Sequence, residues 1–489
     1  MTVTLLSFLL FLAAFTGIGM LSAWRKRDTP EDYLLAGRSV NPWLTALSSV
    51  ATNNSGFMFI GLIGFTFRDG LQTIWMAVAW ILGDLIVWSW VHRRVREVSG
   101  RVGAVSVPAL LGAGRSGPQR PVIVLAGLAT FVFLGGYAAA QLNAGSTALH
   151  ALFGWEPWLG ATIGAAIVVA YCYSGGLRAS IWTDAAQAIV MLGWMVLLLG
   201  AAMLEVGGPQ QLHARLATID PGLVRWFPPD LAVGFPLYFM GFVAGGVGAI
   251  GQPHILVRSM AISSAEEITQ ARRVYFAWFL PFYAAAVLVA LYARVLVPEL
   301  AVAPEGLGPE GVRQALVASS EGALPLLALA LLPDVLVGLL LAGLFSATMS
   351  TADSQILACS AAVTQDIAPR WRSSTVASKV ATLAVTAVAL AIALTAGDGV
   401  FSLVLGAWSA LGASLGPLLV LRVFDQRFPT WLGIAMMLAG LTTVTAWDLS
   451  PWAGDVFKLL PGLVVPTALY AVWRLTHPED TRVSMHPLR

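Results

Sequence analysis

Apolar and polar positions fall in long blocks along the chain: runs of about 20 apolar residues recur over nearly the whole length, separated by short polar segments. A helix of about 20 apolar residues crosses a hydrocarbon core about 30 Å thick, so each run predicts a membrane-spanning helix. The predicted spans are 2–22, 43–66, 71–91, 121–147, 157–174, 181–204, 231–253, 274–297, 334–362, 376–396, 399–421, 430–447 and 455–475. The pattern therefore predicts an all-α polytopic membrane protein with thirteen transmembrane helices in a lipid bilayer.

The basic residues indicate the orientation of these spans. With the N-terminus outside, 22 Lys and Arg fall in inner segments and six in outer segments, which by the positive-inside rule predicts an N-out, C-in topology. No basic residue precedes the first apolar run, so this run is predicted to be a retained helix and not a cleaved signal peptide.

Composition narrows the class of protein. The chain is 57% hydrophobic and 11% charged, whereas a soluble domain carries about 25% charged residues, which excludes an ordinary soluble enzyme. A net charge of +2 predicts no nucleic-acid partner. The six histidines have no metal-binding spacing, and the two cysteines imply no disulfide framework. Because the polar loops are short, we expect neither an enzyme activity nor an obligate protein partner.

Two spans contain residues that interrupt helices. Six of the nine residues in 48–56 are polar, and 241–253 contains five glycines and Pro253. Backbone groups freed by unwinding are tolerated at membrane depth only where they face protein or a water-filled cavity. The alternative for 48–56 is a regular helix that packs through small polar residues.

The two interrupted spans are the second and the seventh, five crossings apart. In inverted-repeat transporters, broken helices in equivalent positions of the two halves form a binding site at the middle of the membrane. We predict a five-plus-five inverted repeat. Its divisions are an extra N-terminal helix (1–30), a first repeat (31–205), a second repeat (206–425) and two C-terminal helices with a cytosolic tail (426–489).

Hydroxyl groups line one face of the ninth span, where Ser350, Thr351 and Ser354 have helical spacing. Hydroxyls together with the carbonyls of an unwound helix form a plausible cage for a hard cation such as sodium. The alternative is that these side chains only bond back to their own helix.

Three acidic residues lie within predicted spans: Asp84, Asp184 and Asp353. An aspartate at the bilayer centre costs about 2.5–3.5 kcal/mol on insertion scales, so each is a functional candidate. Asp84 lies two turns from the basic run that starts at His92, and we interpret it as a structural residue close to the inner surface.

Several motifs of the chain resemble those of the sodium/solute symporter family. The resemblance covers about residues 30–420 and rests on an ordered set of motifs: Tyr33 to Arg38, Ala51 to Gly56, Gly175 to Arg178, Trp182 to Asp184, Gly251 to Leu256 and Met349 to Thr351. It implies the leucine-transporter fold, alternating access and one sodium site. Carried over by position, the sodium ligands are the carbonyls of Ala51, Asn54 and Ala347 and the hydroxyls of Ser350 and Thr351.

The chain departs from the proline-transporting members of that family in its charges. Those members have an aspartate where this chain has Asn53, whereas this chain adds Asp353 on the ninth span. Since some family members use the inner aspartate, here Asp184, for a second sodium, we hypothesise a second cation or proton site. Its residues are Asp184, Ser350, Asp353 and Ser354.

A second departure concerns the solute pocket. Where the proline-transporting members have aromatic residues, this chain has Gly245 and Ala249, so a larger or differently shaped pocket is expected. The other candidate lining residues are Asn53, Ser55, Tyr137, Gln141 and Trp408. They offer hydrogen bonds and stacking without a fixed positive charge, which suits a small zwitterion or polar solute.

The predicted function is sodium-coupled import of a small organic solute, amino-acid-like in chemistry, across a bacterial cytoplasmic (inner) membrane. One alternative is a proton-coupled carrier on the same fold, favoured by Asn53 and Asp353. Another is a transporter-like solute sensor, although the tail after Leu475 is short.

Overall fold

The structure, a computed structural model, describes residues 2–22, 24, 27–114, 117–302, 304, 308–395 and 400–478. Almost all of this part of the chain is helical. The helices are α1 (Thr2–Ser22), α2 (Pro30–Leu35), α3 (Pro42–Asn53), α4 (Ile63–Asp69), α5 (Ile74–Val102), α6 (Val107–Leu111), α7 (Arg120–Phe153), α8 (Pro157–Val206), α9 (Pro209–Ile219), α10 (Phe235–Val247), α11 (Pro253–Ala261), α12 (Ile268–Leu296), α13 (Pro309–Ser320), α14 (Ala323–Leu331), α15 (Asp334–Ala361), α16 (Thr375–Thr395), α17 (Val400–Val423), α18 (Thr430–Trp447) and α19 (Leu459–Thr476). Two short antiparallel strands, β1 (Ala113–Gly114) and β2 (Gly117–Pro118), form a hairpin.

Within the described ranges, ten helices are long and apolar enough to cross a membrane, or twelve when each of two bent pairs is counted as one span. Two of the ten, Phe57–Val102 and Pro157–Val206, have 46 and 50 residues, more than one crossing needs. The chain is thus a multi-pass helical membrane protein.

The count of thirteen membrane spans, the N-out topology and the inverted repeat remain predictions. Among the basic residues counted, Arg25, Lys26, Arg115, Arg482 and Arg489 lie outside the described residues, as does the tail beyond residue 478.

Helix α8 contains both predicted spans 157–174 and 181–204, joined through a break at Gly176. Gly176 has φ 56° and ψ −141°, a conformation that only glycine adopts readily. A Cβ atom there would lie 2.3 Å from the Tyr33 carbonyl oxygen. The break therefore needs glycine both for its dihedral angles and for the close approach of the chain.

The seventh span is broken, but it extends further than the sequence indicates. Helix α10 ends at Val247, a 3₁₀ turn covers Gly248–Gly251, and α11 follows with a bend of 57°. Pro253 begins α11, where its missing N–H costs nothing. The predicted span ends at residue 253, but α11 continues to Ala261 and contains Arg258, which is fully buried.

Helix α15 lies at the centre of the molecule. It packs against α7, α8 and α1, and nearly every side chain from Val337 to Ala361 is buried. On the outside, large apolar side chains such as Leu204 (90% exposed) and Leu6 (68% exposed) face away from the protein, as expected for contact with lipid. The hydroxyl-bearing ninth span is therefore surrounded by other helices and not by lipid.

Candidate functional site

The first break exposes backbone and amide groups next to α15. Helix α3 ends at Asn53, and Asn54 leaves the helix with φ −87° and ψ 38°. Two residues further, the Gly56 N–H donates to the Gln141 side-chain oxygen at 2.8 Å. The Asn54 side chain donates to the Val50 carbonyl at 2.7 Å, and its own oxygen is buried without a hydrogen-bond partner among the described atoms.

Two hydroxyls of α15 contact the last turn of α3. Ser350 Oγ lies 3.5 Å from the Ala51 carbonyl oxygen, and Thr351 Oγ1 lies 3.0 Å from that of Thr52. Both hydroxyls also lie within hydrogen-bond distance of the Ala347 carbonyl, at 3.0 and 3.3 Å. All five residues are buried. The structure thus brings four of the five predicted sodium ligands together and adds Thr52.

The fifth, Asn54, lies three residues beyond Ala51 at the end of the break. No described contact joins its backbone carbonyl to Ser350 or Thr351. The groups that do converge are all oxygens, on an unwound helix end and on a facing helix, which suits a hard cation. Each hydroxyl has one proton for one carbonyl, so its remaining lone pairs can be directed at an ion.

A second polar cluster lies beside this one and contains a buried ion pair. The Arg258 guanidinium lies 3.0 Å from the Asp184 carboxylate, with both side chains completely buried. Arg258 Nε donates to Ser48 Oγ at 3.0 Å, and Ser48 Oγ donates to Asp184 at 2.6 Å. The guanidinium also contacts Ser354 Oγ. Arg258 is the central cation of the cluster, and it is not among the site residues predicted from the sequence.

Asp353 belongs to the same cluster but is held by hydroxyls. It accepts from Tyr171 at 2.5 Å, from Ser180 at 2.7 Å and from Ser354 at 2.7 Å. Ser180 also lies 3.4 Å from Asp184 and so bridges the two carboxylates. Tyr171 and Ser180 lie on the two sides of the Gly176 break, which places both arms of α8 at this cluster.

Three residues of the predicted second site, Asp184, Asp353 and Ser354, meet in this cluster. The Ser350 hydroxyl instead contacts the carbonyls of Ala51 and Ala347 in the first cluster. Arg258 with two carboxylates leaves a formal net charge of −1. The sequence carries one signal that could have found Arg258: a single charge within the apolar stretch 253–261 that directly follows the predicted break.

A small cavity adjoins the first break. Four of the predicted lining residues, Asn53, Ser55, Tyr137 and Trp408, line it. The rest of its wall is apolar or aromatic and includes Phe57, Met58, Trp80, Tyr283, Val404 and Leu405. None of these lining residues is charged, so the cavity favours a solute without net charge.

The other three predicted lining residues lie behind the wall. Gln141 binds the Gly56 N–H, and the Gly245 carbonyl accepts from Trp408 Nε1 at 2.9 Å. A Cβ atom on Gly245 would lie 2.6 Å from the Trp80 ring, and Ala249 is 1% exposed. Trp80 therefore fills the space next to Gly245, and a differently shaped pocket, one of the two expected outcomes, remains the prediction.

Asp84, interpreted from the sequence as a structural residue near the inner surface, is buried and connected to the cavity wall. It accepts a hydrogen bond from the Tyr275 hydroxyl at 2.6 Å. The same hydroxyl lies 2.6 Å from Asn53 Nδ2. Three residues on α3, α5 and α12 thus form one hydrogen-bonded chain that ends at the cavity.

Comparisons with known proteins identify the family of this chain. The family model described as "Sodium:solute symporter family" matches residues 33–440. The chain is 30% identical to the high-affinity proline transporter PutP of Bacillus subtilis, over 90% of this chain and 91% of the relative. It is also 30% identical to the sodium/proline symporter of Escherichia coli, over 95% of this chain and 91% of the relative.

Among solved structures, a Na⁺-coupled sialic acid symporter in its substrate-bound outward-open state has the same fold. Its TM-score is 0.77 at 19% identity, with 99% of each chain covered. A nucleobase-cation-symport-1 family transporter aligns with a TM-score of 0.55 at 18% identity, over 92% of this chain and 95% of the other.

Proposed function

Because this chain belongs to the sodium:solute symporter family, we propose that it carries one sodium ion and one small zwitterionic solute inward together by alternating access. The observation that carries the proposal is the contact of Ser350 and Thr351 with the carbonyls of Ala51 and Thr52, directly before the residues that line the cavity. Sodium bound there joins α3 to α15 and stabilises the wall on which the solute rests. Asn54 completes the site if its carbonyl turns toward the ion.

The solute is an amino acid with a compact apolar side chain. Its ring or alkyl group contacts the indoles of Trp80 and Trp408, while its charged ends bind Asn53, Ser55 and the backbone of the break. Both of the curated relatives named above are proline transporters, so L-proline is the first compound to test.

Energetically, one sodium is sufficient for accumulation. One charge that crosses about 100 mV releases about 2.3 kcal/mol, and a tenfold concentration gradient adds about 1.4 kcal/mol. The sum of about 3.7 kcal/mol supports roughly 500-fold accumulation of a neutral solute. We place the protein in a bacterial cytoplasmic membrane, with the halves 31–205 and 206–425 moving relative to one another around the ion site.

A proton-coupled carrier is the second candidate, and a specific observation favours it. The cluster of Asp184, Asp353 and Arg258 has a formal charge of −1, which a proton or a second cation at Asp184, Ser350, Asp353 and Ser354 would neutralise. Solute uptake in sodium-free vesicles with an acidic exterior would select this candidate.

The test of the first candidate is uptake into proteoliposomes. We expect uptake of L-proline, or of another small neutral amino acid from a panel, only with an inward sodium gradient. The double variant Ser350→Ala with Thr351→Ala should abolish it. Ser346→Ala is the matched control, because it removes a hydroxyl that is buried on the same helix without a hydrogen-bond partner among the described atoms. Sodium-independent uptake, or full activity of the double variant, would refute the proposal.

A further inference from the structure

The chain of hydrogen bonds from Asp84 through Tyr275 to Asn53 has a direction, and that direction fixes which atom of Asn53 faces the cavity. The Tyr275 hydroxyl donates its single proton to an oxygen of the Asp84 carboxyl group. The Tyr275 oxygen can then only accept from Asn53. The Asn53 amide must therefore turn its NH₂ group toward Tyr275, as the 2.6 Å contact of Nδ2 shows.

The consequence lies on the other side of the amide. With Nδ2 engaged, the Asn53 oxygen points away from Tyr275, and Asn53 is a lining residue of the cavity. An amide oxygen accepts hydrogen bonds and attracts a cationic amine, whereas an NH₂ group in its place would repel one.

We propose that Asp84 is a positioning residue for the solute site: through Tyr275 it holds the Asn53 amide with its oxygen toward the cavity, where that oxygen recognises the ammonium group of the solute. Asp84 touches no solute itself. This inference rests on the proposed function in one respect only, that the solute carries an ammonium group.

The packing around Asp84 makes the arrangement rigid. Asp84 lies on α5 where this helix crosses α10 without intervening side chains: a Cβ atom on Gly246 would lie 2.8 Å from the Asp84 backbone nitrogen. Tyr275 is fully buried and packs on Trp88, with ring centroids 4.7 Å apart. This packing holds both Asp84 and Tyr275 in place. The direction of hydrogen bonding that starts at Asp84 is therefore transmitted to Asn53.

The functional test compares two inhibitors of uptake that differ at one atom. L-Proline has an NH₂⁺ group, and tetrahydro-2-furoate has a ring oxygen in its place. Wild-type protein should prefer L-proline. Asp84→Leu removes the acceptor of the Tyr275 proton. We expect it to raise the KM for L-proline roughly tenfold with little change in kcat, and to reduce the preference by a similar factor, because the loss of one charge-assisted contact has about this size. Tyr275→Phe should do the same.

The double variant separates this inference from a general structural effect. If Asp84 acts through Tyr275, the effects of Asp84→Leu and Tyr275→Phe on the preference should not add. Tyr292→Phe is the matched control, since its hydroxyl lies on the same helix but donates to the Gly207 carbonyl outside the cavity. An unchanged preference in both single variants, or fully additive effects, would overturn the proposal.

A second measurement does not depend on transport. Infrared spectra of the purified protein with labelled tyrosine, from which the Tyr275→Phe spectrum is subtracted, give the C–O stretch of the Tyr275 phenol. This band depends on whether the hydroxyl donates, accepts or does both, and Asp84→Leu, which removes the acceptor, should shift it. An unshifted band overturns the role of Asp84 whatever the substrate is. A shifted band without any uptake by the wild type would refute only the proposed function.

Discussion

Arg258 and Asp184 form an ion pair of 3.0 Å in which neither side chain has any exposed surface. They come from α11 and α8, and hydroxyls of α3 and α15 complete their hydrogen bonds. Two charges removed from solvent are tolerated only when they are paired and hydrogen-bonded. The pair therefore holds α11 against both α15 and the broken helix α3.

Removal of one partner should destabilise the protein strongly. Arg258→Met leaves the Asp184 carboxylate buried without a counter-charge, and we expect a loss of about 3–5 kcal/mol in unfolding free energy. Thermal unfolding in detergent measures it. The double variant Arg258→Met with Asp184→Asn should recover part of the loss, because it leaves no uncompensated charge. Equal melting temperatures for wild type and Arg258→Met would show that the pair contributes nothing.

Hydropathy alone predicted most helices of this fold. The predicted span 430–447 and α18 (Thr430–Trp447) coincide, and so do 2–22 and α1. The two breaks were also predictable, because polar residues in 48–56 and glycines in 241–253 have no place in a lipid-facing helix. The same reasoning failed at Arg258: a charge after a proline usually marks the end of a span, and its burial depends on partners 74 and 96 residues away in sequence.

The polar contacts between helices could not be predicted from the sequence. Asp84, Tyr275 and Asn53 lie on three helices, and no spacing rule joins them. Likewise, the Trp80 ring occupies the space next to Gly245, and this packing contact is seen only in the structure.

Removal of one of the two proposed hydroxyl ligands on α15 should already weaken sodium binding. Thr351→Val keeps the shape of the side chain but removes an oxygen ligand, and we expect the sodium affinity to fall roughly tenfold, the size of one interaction with a charged group. Since a ligand that binds only the folded state stabilises it, the sodium dependence of the melting temperature reports the affinity without transport. Thr351→Ser, which keeps the hydroxyl, is the control. Identical sodium titrations for the Val and Ser variants would remove Thr351 from the site.

No side chain should be tolerated at the glycines where α5 and α10 cross. A Cβ atom on Gly83 would lie 2.1 Å from the Val243 carbonyl, and one on Gly246 would lie 2.1 Å from that of Trp80. We expect Gly83→Ala to lower the yield of folded protein and the melting temperature markedly, because two backbones would have to separate. Gly193→Ala, at a helix position with open space around it, should be neutral or stabilising by about 0.5–1 kcal/mol. Size-exclusion profiles and melting curves of both variants decide the matter.

The side chain at position 245 should determine which solute sizes the cavity accepts, because it sets the position of the Trp80 ring. An added methyl group meets the Trp80 ring at 2.6 Å and has to displace the indole, which lines the cavity, toward the solute. We expect Gly245→Ala to weaken inhibition of uptake by the six-membered-ring homologue of proline more than inhibition by proline itself, by about 1–3 kcal/mol for the extra methylene. Sodium affinity should stay unchanged, because Ser350 and Thr351 lie on the other side of α3. Gly136→Ala, which meets nothing within 4 Å, is the control. An equal loss for both ring sizes would mean that the methyl group distorts the break in α10 without moving Trp80.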